Sequence, residues 1–110
     1  MGAMIPLFHE SPADVIHVET KNRSYRELGA MREFPKDKVM GVGVIDTKVS
    51  QIETAADVAR GIHQALEVVP PERLMIQTDC GLGYFSRTVA FAKLKALGEG
   101  VRSVRAELKR

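Results

Sequence analysis

Three short apolar runs, each ending on a polar residue, constrain the fold of this chain more than any other feature. The first is ADVIHVET, from Ala13 to Thr20; the second is KVMGVGVID, from Lys38 to Asp46; the third is RLMIQTDC, from Arg73 to Cys80. Each is short and nearly continuous in hydrophobicity. A strand with one wet face alternates apolar and polar residues. A run without that alternation predicts a strand buried on both faces, hence a parallel sheet.

Helical patterns fill the gaps. Ser24 and Glu27 stand at capping-box spacing, and Leu28, Met31 and Phe34 continue at helical spacing until Pro35 stops the helix. Thr54 and Asp57 form a weaker start signal of the same kind. Ala55, Ala59, Ile62, Leu66 and Val69 then make an apolar stripe that Pro70-Pro71 ends. A third helix is predicted from near Ser86, with Ala90, Leu94, Leu97, Val101, Val104 and Leu108 on one face. Gly98 and Gly100 weaken its middle by about 1 kcal/mol each. The order β-α-β-α-β-α implies right-handed crossovers, so the expected fold class is α/β, three β/α units on a parallel sheet. Such a unit leaves two open sheet edges and one bare sheet face. It reads as a piece of a larger barrel, or as a chain that pairs with copies of itself.

Composition excludes several classes. The chain has 110 residues, one domain or less. It is 45% hydrophobic and 27% charged, the mix of a soluble globular protein, and its 5% aromatics without Trp demand an aliphatic core. The net charge is +2, and the one locally basic stretch, Arg102, Arg105, Lys109 and Arg110, is interleaved with Glu99 and Glu107. That is a solvated helix face rather than a nucleic-acid interface. A single cysteine excludes an internal disulfide. No 18-residue apolar run predicts a membrane span, and the N-terminus lacks a signal-peptide pattern. A cytoplasmic location is expected, with no nucleic-acid or membrane partner. Residues 1–12, opening with Met1-Gly2-Ala3-Met4, are expected to be an N-terminal extension or expression scar ahead of a domain at 13–110.

In parallel α/β folds ligands gather outside the carboxyl ends of the strands. Glu19, Asp46 and Asp79-Cys80 end the three runs. Glu19 offers oxygen and Cys80 thiolate, a pair that suits zinc. The residues themselves leave alternatives open. Cys80 reads as a buried structural thiol or as a ligand or nucleophile; Glu19 as a salt-bridged carboxylate or a ligand; Asp46, followed by Thr47 and Lys48, as a loop cap or a site residue. His17 shares a strand face with Glu19 and reads as a core histidine before a ligand, while His9 and His63 are expected to face solvent. Gly81 and Gly83 permit a tight turn before a helix N-terminus, a weak anion-binding signal without a dinucleotide fingerprint or a P-loop lysine.

ADVIHVET, GVGVIDTK and PPERLMIQTDCGLG, taken together, resemble the C-terminal portion of the cobalamin-independent methionine synthase family, from about Ala13 to Leu108. The resemblance implies that the three units match the last part of a (β/α)8 barrel. It further implies a zinc-dependent methyltransferase that moves a methyl group from a folate-type donor to a thiol such as homocysteine, in methionine biosynthesis. Glu19 and Cys80 match two of the zinc ligands; Asp46, Lys48 and Asp79 match positions near the thiol. The family's other two ligands form a His-x-Cys pair upstream of the Glu19 position, so this chain is expected to hold an incomplete zinc site. Lys48 stands where the larger synthases carry a histidine, which resembles the shorter group of the family that acts on varied thiols. The expected partners are a small-molecule thiol and a methyl donor, with copies of the chain or a partner chain completing the barrel. The alternatives are alkyl transfer to another thiol and a non-catalytic oligomeric remnant.

Overall fold

In the computed structural model, which describes residues 2–109, three parallel strands lie side by side in chain order. They are β1 (Val15–Val18), β2 (Val39–Ile45) and β3 (Leu74–Thr78). Val15 pairs with Val39 and Val18 with Val42; Met40 pairs with Leu74 and Gly43 with Gln77, after which the register shifts and Ile45 meets Thr78. The strands are shorter than the apolar runs. Their polar ends, Glu19, Asp46 and Asp79-Cys80, lie just beyond the ladders.

The helices are α1 (Ile5–Glu10), α2 (Ala55–Leu66) and α3 (Arg87–Leu108). The α2 start is the capping box read from sequence: Thr54 accepts from the Asp57 N–H and Asp57 accepts from the Thr54 N–H. Ser86 caps α3, its hydroxyl accepting from the Val89 N–H. One aliphatic core joins Met40, Val42 and Val44 of β2 to Val58, Ile62 and Ala65 of α2 and to Ala96 and Val104 of α3. Burying each of these larger side chains contributes about 1.5–3 kcal/mol. The α/β class, the parallel sheet and the two open edges are as the sequence predicts.

Three expectations are corrected. Only β2 is buried on both faces. On the edge strands Val15 is 40% and Met75 43% exposed, and His17 is exposed too. Register places all three on the sheet face of Gly41 and Gly43, which no helix covers. The predicted helix from Ser24 is absent. Ser24 and Tyr25 have φ of 53° and 60°, in the left-handed region, and 3-10 turns span Lys21–Arg23 and Leu28–Glu33. A capping serine needs an extended backbone, which Ser24 lacks. Leu28, Met31 and Phe34 are still buried, because an i, i+3, i+6 spacing fits three residues per turn. In α3 the buried face is Lys93, Ala96, Gly100 and Val104, with Leu94 and Leu108 about half exposed instead of buried. The helix turns its small residues toward α2: a Cβ on Gly100 would lie 2.5 Å from Val58 Cβ.

Candidate active site

The carboxyl ends of the strands form an open cleft of about 360 Å³ lined by Glu19, Thr47, Lys48, Cys80, Tyr84 and Phe85, with Gly81 on its wall. Three residues singled out from sequence, Glu19, Lys48 and Cys80, therefore share one cavity. Cys80 is exposed, not a buried structural thiol. Tyr84 is 99% exposed beside it.

Asp79 lies beneath the cleft, 1% exposed. Its Oδ1 accepts from the N–H of Thr20 and of Lys21, both at 3.1 Å, and its Oδ2 from the Asn22 N–H at 2.8 Å. One carboxylate thus holds the loop that follows β1. Burial pushes the Asp79 carboxyl above its ordinary range, the three N–H donors pull the other way, and the nearby Asp46 charge adds to the rise. Gly43 makes the arrangement possible. A Cβ there would overlap the Asp79 carboxylate and lie 2.7 Å from its Cα. The Thr20 hydroxyl donates to the Gly43 carbonyl at 2.5 Å, and the His17 ring is 2.9 Å from the Asp79 carbonyl. His17 reaches from one edge strand to the end of the other over Gly41 and Gly43, where β2 presents no side chain.

Glu19 is half-buried, and Asn22 Nδ2 donates to its Oε2 at 3.3 Å. Asn22 Oδ1 is buried without a hydrogen-bond partner among the described residues. Asp46 turns its carboxylate toward the chain after it, Oδ1 accepting from the Lys48 N–H at 2.8 Å. It borders a second cleft of about 240 Å³ with Lys21, Gln51, Glu53 and Asp57. Asp46 is therefore both a loop cap and a wall of the adjoining pocket. The ends of α2 and α3 place His63 against Glu107 at 3.0 Å, and His9 is 3.0 Å from the Glu33 carbonyl, both away from the cleft.

Sequence reasoning missed Thr20, Asn22, Glu53 and Lys93. Lys93 is fully buried and paired with Glu53 at 3.0 Å. A signal existed: Lys93 shares the 3.6-residue face of Ala96, Gly100 and Val104. Glu53 gave none, because its burial depends on a helix 40 residues away.

As metal donors, Glu19 and Cys80 are of the right chemical kind for zinc and line the same cleft. Zinc is usually four-coordinate, and among the described residues no group of three His, Cys, Asp or Glu is arranged to hold a metal. The donor set present fits half a site and no more.

The family model for the catalytic domain of cobalamin-independent synthase matches residues 3–102. A methionine synthase from Saccharolobus solfataricus is 40% identical over 105 residues, covering 96% of this chain and 32% of its own length. A 2-hydroxypropyl-CoM lyase from Xanthobacter autotrophicus is 39% identical over 112 residues, covering 97% of this chain and 30% of its own length. A solved B12-independent methionine synthase from Shewanella sp. W3-18-1, in complex with selenomethionine, superposes with a TM-score of 0.87 at 35% identity, over 94% of this chain and 30% of that one. The chain spans about a third of the length of these relatives.

Proposed function

We propose, because the chain belongs to the catalytic-domain family of the cobalamin-independent methionine synthases, that it is one part of a zinc-dependent enzyme that moves a methyl group from a folate-type donor to a thiol such as homocysteine. The observation that carries this reading is the convergence of Glu19, Lys48 and Cys80 on one cleft at the carboxyl ends of the strands. In this reading Glu19 and Cys80 are two of four zinc ligands, and the remaining donors come from a segment or partner chain outside these 110 residues. Zinc, when bound, lowers the pKa of the substrate thiol so that a thiolate nucleophile is present near neutral pH.

The chain's own residues do the positioning. Asp79 fixes the loop after β1, which sets the direction of Glu19, while its neighbour Cys80 leaves β3 into the same cleft. Asn22 steadies the Glu19 carboxylate. Lys48 offers a cation at the cleft wall, and Asp46, one residue behind Thr47, supplies a carboxylate beside it. A second reading keeps the zinc chemistry but transfers a different carbon group to another thiol. Lysine at position 48 and the likeness to a 2-hydroxypropyl-CoM lyase favour it. A third is a non-catalytic oligomeric remnant of the barrel.

Metal analysis separates these readings. About one zinc per assembled site, lost in Cys80→Ser and in Glu19→Gln, supports the enzyme. Zinc and transfer only when a His-x-Cys-bearing partner is added support a split barrel. No zinc under either condition sinks the enzymatic reading for this polypeptide.

A further inference from the structure

Both backbone polar groups of Asp46 are gripped by the two halves of one buried ion pair. Lys93 donates from Nζ to the Asp46 carbonyl at 2.9 Å, to the Gln51 carbonyl at 2.8 Å and to Glu53 Oε1 at 3.0 Å. The other oxygen of that carboxylate, Glu53 Oε2, accepts from the Asp46 N–H at 2.8 Å. An ammonium has three protons to give, and all three are used inside the loop from 46 to 53. The Phe85 ring, 5.1 Å from Nζ, covers the ammonium from the segment that follows Cys80. The pair therefore joins α3, the loop after β2 and the loop after β3 at one point.

A buried ion pair is a poor source of stability, since removing two charges from water costs about as much as their attraction returns. Its value here is geometric. Residues 46–53 form no helix or strand, and Val49 and Ile52 are 46% and 45% exposed, so the packing of those two side chains does not set the loop's course. We propose that Lys93 and Glu53 are positioning residues that fix the backbone at Asp46 and thereby place Lys48, two residues on, at the cleft of Cys80 and Glu19. The functional half of this inference rests on the reading that Asp46 and Lys48 face the thiol; the structural half does not.

The test removes the grip while keeping the volume. Replacing a buried pair with apolar residues of similar size is often neutral for stability, so a double variant, Glu53→Leu with Lys93→Met, is expected to fold. Amide NMR of the chain should show the Asp46 N–H signal displaced and fast motion appearing across 46–53, with the amides of β2 and α2 in place. A folded double variant whose 46–53 amides keep their positions and order overturns the proposal. Should the double variant not fold, Glu53→Gln decides: glutamine keeps one acceptor oxygen for two donors, and an unmoved Asp46 amide overturns the proposal. In a thiol alkyl-transfer assay of the site completed by its His-x-Cys-bearing partner, the loosened variant is expected to lose about tenfold or more in kcat with KM within about twofold; an unchanged kcat overturns the positioning role. A wild-type chain that transfers nothing even with a His-x-Cys-bearing partner added, yet whose Asp46 amide responds as stated, sinks the proposed function and leaves the loop assignment standing.

Discussion

Asp79 shows how much one side chain decides. The sequence places it at a strand end beside Cys80, a position where a carboxylate reads as site chemistry. In the fold it accepts three backbone N–H groups from the loop after β1. Asp79→Ala leaves the buried Thr20 N–H and the partly buried Lys21 and Asn22 N–H groups without their acceptor, and the expected cost is on the order of 3 kcal/mol, read by urea denaturation. Gly43→Ala should be at least as damaging, because the methyl group meets the Cα of Asp79 as well as a carboxylate pinned by three N–H groups. If Gly43→Ala unfolds at the wild-type urea midpoint, the close approach of β2 and Asp79 is wrong. Strand periodicity placed Glu19 and Cys80 at the strand ends, but it was the family resemblance, not the spacing, that singled them out as ligand candidates. Asn22, Glu53 and Lys93 were not legible at this scale, since each acquires its role from a partner far along the chain or from a turn that no local pattern announces.

At the scale of elements, the capping box of α2 was legible because both partners lie within one turn. Hydrogen bonds from Thr54, the backbone one first, hold the Asp57 carboxyl below its ordinary range. A depressed folded value means stability that is present above the ordinary carboxylate value and lost as pH falls through the folded one. Thr54→Ala is expected to cost about 1 kcal/mol near neutral pH while keeping the backbone N–H that holds the Asp57 carboxyl down; Asp57→Asn is expected to flatten the loss of stability on acidification, and an identical acid slope in that variant would count against the Asp57 half of the cap. The two glycines of α3 were read alike from sequence, and the fold separates them. A Cβ at Gly98 meets only the Arg102 guanidinium at 3.5 Å, so Gly98→Ala should stabilise by about 0.5–1 kcal/mol. Gly100 faces Val58 and the Ala55 carbonyl across the α2–α3 contact, so Gly100→Val should destabilise by about 2 kcal/mol or more through overpacking. Thermal melts of the pair should move in opposite directions. The predicted helix after β1 is absent because Ser24 and Tyr25, at its expected start, take up left-handed backbone conformations that a capping residue and a first helical residue do not have.

At the scale of the molecule, the sheet has two unpaired edges and a bare face. Val15 and Met75 are exposed on it, and Phe91 and Leu94 are 68% and 49% exposed on α3. Unpaired strand edges are templates for further pairing, so the chain in isolation is expected to elute as a dimer or larger, with the apparent size rising with concentration. A rigid monomer at every concentration would contradict the edge argument. None of the described helices is long and apolar enough to cross a membrane.

What the sequence determined by itself is local or periodic: three strands, the α2 cap, the aliphatic core and the polar residues at the strand ends. Those features arise from side chains a few positions apart, whose spacing alone fixes which face they share. The tertiary structure alone decided that Asp79 ties down the loop carrying Glu19, that Gly43 must lack a side chain, and that Lys93 and Glu53 hold Asp46 from both sides. Apart from the contact of Asp46 with Glu53, 7 residues on, each depends on groups 36 to 59 residues apart coming into contact, and no local pattern encodes the distance between them.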